Sequence, residues 1–217
     1  MCQSFGILKI KNLNLGISLK IFVILLLFFN LYADDIYSLR IAKGKVSDSD
    51  LGEILGGYWK PHKYDLQVLA LDGGYLLTKN AYELPLDIYA RAGLAYFDED
   101  ATQNDIYEFT LYIKAYYSFD FLNNRCRFGF GEGLSYTSDV LISEYLEATE
   151  KHDNYSQLLN YLDISFDFDF GRLIAYEPLY NTYIAWTIKH RSGVFGLFNN
   201  VSHGGSNYNT LSIEKNF

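Results

Sequence analysis

The sequence predicts an all-β fold, an eight-stranded antiparallel barrel of the outer-membrane type. Three observations carry that prediction. Segments of ten or more residues alternate apolar with polar side chains, which a strand sorts onto two opposite faces. Several polar faces hold carboxylates, which a dry core penalises heavily and a polar lumen tolerates. Long loops also alternate with shorter connections, as in barrels whose loops gather at one end.

Residues 1–33 read as a secretory signal peptide. Lys9, Lys11 and Lys20 precede the unbroken apolar run Ile21–Phe29, and the small residue Ala33 stands before Asp34-Asp35. The run is shorter than the ~20 apolar residues that a helical bilayer crossing needs. Residues 34–217 are then the transmembrane barrel. Removing the three leader lysines from 18 basic residues leaves 15 against 26 acidic ones, a formal charge of −11. That disfavours nucleic acid as a partner, because phosphate binding needs clustered Lys and Arg. Cys2 leaves with the leader and Cys126 stands alone, so no internal disulfide forms. The 20 Tyr and 16 Phe, with only 3 Pro, suit long uninterrupted strands with aromatic surfaces.

Ile36–Val46 is the first expected strand, and residues 47–63, with SDSD, GG and a proline, form a loop. Tyr64–Leu77 is the second, with Asp72-Gly73-Gly74 expected to interrupt it. Leu84–Phe97 places Leu84, Leu86, Ile88, Ala90 and Leu94 opposite Asp87, Tyr89 and Arg91. The acidic loop 98–105 leads to Ile106–Phe121, where Tyr107, Phe109, Leu111 and Ile113 back onto Glu108, Thr110, Tyr112 and Lys114. Cys126–Thr137 sets Phe128, Phe130 and Leu134 against Gly129, Gly131 and Gly133. Glycines on the polar side leave room inside a narrow cylinder. Residues 138–156 form a long charged loop with room for a helical turn. Gln157–Phe170 sets Ile164, Phe166 and Phe168 against Asp163, Asp167 and Asp169. Two strands joined by a Gly/Asn/Ser-rich loop, 193–204, fill Tyr183–Phe217. No convincing amphipathic helix is expected anywhere. A soluble sandwich or lipocalin-like barrel would leave the repeated aromatic faces in water, which argues against it.

The C-terminal pair carries the chemistry. Ile184, Trp186 and Ile188 share one parity, and two further steps along it bring His190 and Ser192 onto the same lipid-facing side. On the last strand Leu211, Ile213 and Phe217 face lipid, so Asn207 and Asn209 do as well. Asn160 shares parity with Leu162 and Ile164 on the neighbouring strand. Polar groups facing hydrocarbon are expensive and point to function. A hydroxyl beside an imidazole is the minimum for nucleophilic acyl transfer, with a third group to hold the ring. Ser192 is the candidate nucleophile, His190 the base and Asn207 the orienting group. Asn160 and the backbone near Gly193 are candidates for the oxyanion site. A substrate that reaches this face from the membrane is itself a lipid. His62 and His152 read as solvated loop residues, and His203 as an alternative base. No metal-ligand spacing is present and no cofactor is expected.

His190-Arg191-Ser192 on the penultimate strand, followed by Gly204-Gly205-Ser206-Asn207-Tyr208 opening the last, resembles the PagL-type lipid A 3-O-deacylases. Leu159-Asn160-Tyr161 with Asp163, and Gly129-Phe130-Gly131-Glu132-Gly133, extend the likeness over roughly Arg125–Phe217. The resemblance implies an eight-stranded barrel of the Gram-negative outer membrane. It implies that the enzyme removes the ester-linked acyl chain at the 3-position of lipid A, in lipopolysaccharide of the outer leaflet, with Ser192 and His190 in the roles above. Two departures stand out. The family's His-x-Ser-Asn is here His190-Arg191-Ser192-Gly193, and its glutamate on the last strand falls on Asn207 or Ser206, of which parity selects Asn207. The rival reading is a non-catalytic barrel, whether adhesin, structural anchor or small channel. A homodimer is left open.

Overall fold

The computed structural model describes residues 36–99, 102–202 and 205–217. The expected signal peptide and His203 lie outside the described residues. Eight antiparallel strands close into a barrel: β1 Tyr37–Ser47, β2 Gln67–Thr78, β3 Leu86–Asp98, β4 Ile106–Phe121, β5 Asn124–Thr137, β6 Leu158–Asp169, β7 Thr182–Ser192 and β8 Gly205–Asn216. Each strand pairs with the next, and β8 returns to β1, where Tyr37 N donates to Phe217 O at 2.9 Å. Closure satisfies every ladder and leaves no sheet edge, the condition for crossing hydrocarbon with strands. Among the described residues no helix is long and apolar enough to cross a membrane.

The two faces of the wall are chemically opposite. Leu94, Tyr107, Phe109, Leu111, Phe128 and Phe130 stand exposed on the outside. Their inward neighbours are buried and largely ionic. Arg40 of β1 reaches across to Asp163 of β6 at 2.6 Å and to Asp72 of β2 at 3.3 Å, and Lys114 of β4 also pairs with Asp163. Glu214 of β8 holds Arg91 of β3 at 2.9 Å and Arg127 of β5 at 3.2 Å, and Arg127 in turn holds Asp167 of β6 at 2.6 Å. The strand carboxylates that a dry core would reject are thus paired. Gly129 makes this possible: a Cβ there would lie 2.5 Å from Lys114 Cε and 2.4 Å from Ser165 Oγ. Side chains fill the lumen, as expected of eight strands. At the long-loop end the lumen turns apolar, with Val46, Val68, Phe97, Ile106 and Tyr208 packed beneath Leu141 and Leu66.

Three expectations need correction. Asp72-Gly73-Gly74 does not interrupt β2 but lies inside a continuous ladder with β1 and β3. Asp and Gly are poor strand formers, yet ring closure and the Arg40–Asp72 pair outweigh that preference here. The loops also carry helices: α1 Leu51–Leu55, α2 Ile142–Glu150 and α3 Phe170–Leu173. A nine-residue helix such as α2 is marginal alone and depends on tertiary contacts. Its Ile142 N is capped by Glu99 Oε2, from the end of β3, at 2.9 Å, a partner that local sequence cannot reveal. Finally, His62 is not solvated. Its side chain is buried, its Nδ1 accepts from Tyr64 N at 3.2 Å, and its Nε2 lies 3.5 Å from Asp48.

Candidate functional site

The register of β6, β7, β8 and β1 builds a row of polar side chains on the outer wall near the long-loop end. Ser192 lies opposite Asn160 of β6. His190 lies opposite Asn207 of β8, which in turn lies opposite Ser47 of β1. Directly opposed residues have Cβ atoms about 4.5–5.5 Å apart, so each step along the row is within side-chain reach.

His190 Nδ1 and Asn207 Oδ1 are 2.7 Å apart. The amide's other end fixes which atom faces the ring, because Asn207 Nδ2 donates to the carbonyl of Ser49 at 3.0 Å. Oδ1 is therefore the acceptor, Nδ1 carries the proton, and Nε2 keeps its lone pair free to take a proton. Ser192 follows His190 by two residues, about 6–7 Å away at Cα. Among the described residues no hydrogen bond joins its hydroxyl to the imidazole. Asn160 is buried, and its amide makes no side-chain hydrogen bond among the described residues. One row further down, Trp186 Nε1 donates to Asn209 Oδ1 at 3.3 Å.

Gly193 is dictated by packing. A Cβ there would sit 1.9 Å from Val201 O, so a side chain at this position collides with the returning arm of the β7–β8 loop. The Gly193 carbonyl accepts from Phe198 N at 3.0 Å. Beyond it, Val194 and Phe195 adopt left-handed φ values of 50° and 53°, strained for branched or bulky residues. This turn leaves Phe195 96% and Leu197 81% exposed beside the row.

A second set of contacts grips the same strands from inside. Arg191, between His190 and Ser192, points into the lumen and pairs with Glu144 of α2 at 3.0 Å. Ser206, which precedes Asn207, donates to the same carboxylate at 2.7 Å. Glu147, one helical turn on, accepts from Gly205 N at 3.2 Å. Burial, the dominant cause, pushes Glu144 up to about 7 against the opposing pull of Arg191. One loop carboxylate therefore clamps β7 and β8 at the positions flanking all three outward residues. Sequence reasoning missed both Glu144 and the Ser49 tether. Each lies in a loop far from the site in sequence, and only the inward parity of Arg191 and Ser206 hinted that something must meet them.

The structure thus brings His190 and Asn207 into contact, sets Ser192 opposite Asn160, and turns Ser206 inward. No family model matches the chain, and no curated protein does. Among solved structures, the outer membrane enzyme PagL superposes with a TM-score of 0.54 at 13% identity, covering 83% of this chain and 99% of that one. Neisserial surface protein A (NspA) covers 85% of this chain and 98% of its own, with a TM-score of 0.48 at 15% identity. At 13% identity the PagL likeness speaks to architecture alone. The chain has the fold of an eight-stranded outer-membrane barrel.

Proposed function

We propose that this protein resides in the Gram-negative outer membrane and hydrolyses the ester-linked 3-position acyl chain of lipid A. The observation that carries the reading is the 2.7 Å contact between His190 Nδ1 and Asn207 Oδ1 on the outward wall, with Ser192 on the same face. Nε2 of His190 removes the Ser192 proton as the hydroxyl attacks the ester carbonyl, and returns it to the departing sugar hydroxyl. Water then repeats the sequence on the acyl-enzyme to release the fatty acid. Asn207 holds the ring in the right tautomer and steadies the imidazolium. In this reading the amide of Asn160, opposite Ser192, and backbone N–H groups near Gly193 are assigned to the oxyanion. An ester in the outer leaflet reaches this face sideways through the membrane.

The test is mass spectrometry of lipid A from cells expressing wild type, Ser192→Ala and His190→Ala. Loss of one 3-hydroxy fatty acid with wild type alone is expected; unchanged lipid A with wild type in an accessible membrane sinks the reading. A second reading, a non-catalytic barrel working through its loops, is favoured by one observation: Ser192 and His190 share no hydrogen bond among the described residues. It predicts that all three strains give identical lipid A.

A further inference from the structure

The outer wall carries two unpaired charges. Glu132 of β5 points outward with Phe130 and Leu134, and its cross-strand neighbours are Ile113 of β4 and Leu162 of β6. Lys43 of β1 points outward between Leu69 of β2 and Leu211 of β8. Both are exposed, and neither has an ion-pair or hydrogen-bond partner among the described residues. Tyr136, two outward positions above Glu132, and its neighbours Tyr107 and Tyr96 are exposed like the aromatic girdle of a barrel's interface, so Glu132 lies within the apolar band. Charges facing hydrocarbon are expensive and by default mark function. We propose that copies of this protein associate head to tail in the membrane, with Glu132 of one against Lys43 of the next; this is independent of the hydrolase reading.

The ladders fix where the two charges stand. β1 and β5 are four strands apart in either direction round the ring, so they occupy opposite walls. Strands in a closed barrel tilt, so a row of paired residues climbs one way round and descends the other. From Lys43 the row through Leu69, Tyr96 and Tyr107 meets the end of β5 at Ser138, whose N donates to Tyr107 O at 2.8 Å. The row through Leu211, Trp186 and Phe166 meets β5 at Phe128. The point level with Lys43 lies midway between these, next to Glu132. The two charges therefore share one depth, and two copies inserted in the same sense bring them together when they lie side by side.

A second feature sits at matching height. Gly73 is exposed on the outer wall opposite Leu39, one turn of the pleat pattern below Lys43, and a Cβ built on it meets no atom within 4 Å. It leaves a notch, and a glycine inside a strand often marks the close approach of another backbone. The same step down from Glu132 carries Phe130 and Phe128, both exposed. Rings of one copy fill the notch of the next, and the ion pair forms above them in a low dielectric, where it is strong. Because the two faces differ, the contact is heterologous and extends as an open row. A two-fold pair would set like charges together or leave both unmatched. The arc β6–β8, with His190 and Ser192, stays open to lipid.

The test is zero-length cross-linking. Refolded protein in lipid vesicles is treated with a membrane-permeant carbodiimide, which joins a carboxylate to an adjacent amine as an amide. Products are separated on a gel and digested for mass spectrometry. A Glu132–Lys43 amide forms only between copies, since within one copy the two groups stand on opposite walls. The proposal expects dimers, trimers and larger products containing that amide, in a yield that holds when the vesicles are diluted with lipid. Gly73→Leu keeps both reactive groups and should cut the yield by about fivefold or more, because it fills the notch and removes the shape fit. Phe130→Ala, read in the same way, replaces that variant if it does not fold. Absence of the amide, a wild-type yield that falls in proportion to dilution, products that stop at the dimer, or a Gly73→Leu yield equal to wild type overturns the proposal.

Discussion

Replacing Asn207 by alanine removes the one side-chain hydrogen-bond partner that His190 has among the described residues and separates an oriented base from a loose imidazole. In the proposed hydrolysis the 2.7 Å contact would change character along the reaction, because the ring becomes cationic as it takes the Ser192 proton. Hydrogen bonds to charged groups contribute about 1.5–3 kcal/mol against about 1 for neutral ones. At 1.36 kcal/mol per factor of ten, Asn207→Ala is expected to lower kcat by about ten- to a hundredfold. Asn207→Asp separates charge from geometry. One carboxylate oxygen keeps the Nδ1 proton and stabilises the imidazolium better, so kcat should equal or exceed wild type. The other oxygen replaces a donor to the Ser49 carbonyl with an acceptor, which should loosen the β1–β2 loop by about 1–3 kcal/mol. The assay is fatty-acid release from lipid A in mixed micelles by refolded protein, with circular dichroism to check the barrel. An alanine variant within twofold of wild-type kcat, alongside inactive Ser192→Ala and His190→Ala, would refute the role given to the amide.

Three further outcomes are expected. Asp163→Ala removes the shared partner of Arg40 and Lys114 and should cost about 3–5 kcal/mol, as breaking buried pairs does, measured as a fall in the urea midpoint in lipid vesicles. Glu144, pushed up to about 7 from an unfolded value near 4.3, binds its proton more tightly when folded, so its contribution is complete below that unfolded value and is lost as pH rises to about 7. The difference amounts at most to just under about 4 kcal/mol, of which about 3 falls between pH 4.5 and 8, and Glu144→Gln should remove that part of the pH dependence when urea midpoints at those two values are compared; an identical slope in both proteins counts against the assignment. Gly193→Ala forces the β7–β8 loop away from Val201; activity should drop at least tenfold while the barrel's midpoint stays nearly constant.

The wall of this protein was readable because strand parity is a two-state code. Once Ile184 and Trp186 are placed outside, His190 and Ser192 follow, and Leu211 does the same for Asn207. Paired acids such as Asp163 and Asp167 pointed to a polar lumen, although their partners on β1 and β5 could not be named from spacing. The Asp72-Gly73-Gly74 stretch misled because local propensity argued for a break, whereas Arg40 and ring closure decided otherwise. The loops were the least legible part. α2 owes its first turn to Glu99, and its grip on the site to Glu144 meeting Arg191 and Ser206, contacts between residues some 40 to 60 positions apart that no local pattern encodes. Asn207 was legible as a neighbour of His190 but not as a tethered one, since Ser49 lies 158 residues upstream.

The ion pairs across the lumen also bear on how such a molecule can be assembled. Arg40, on the first strand, finds Asp163 only when the sixth has arrived, and Glu214, on the last, completes the coordination of Arg91 and Arg127 from the third and fifth. A half-made sheet would therefore present naked guanidinium groups to hydrocarbon, at a cost of several kcal/mol each. Stepwise insertion of finished hairpins is disfavoured by that arithmetic. Biogenesis should instead proceed through a sheltered, hydrated intermediate that is released into lipid only after the final strand has joined the first.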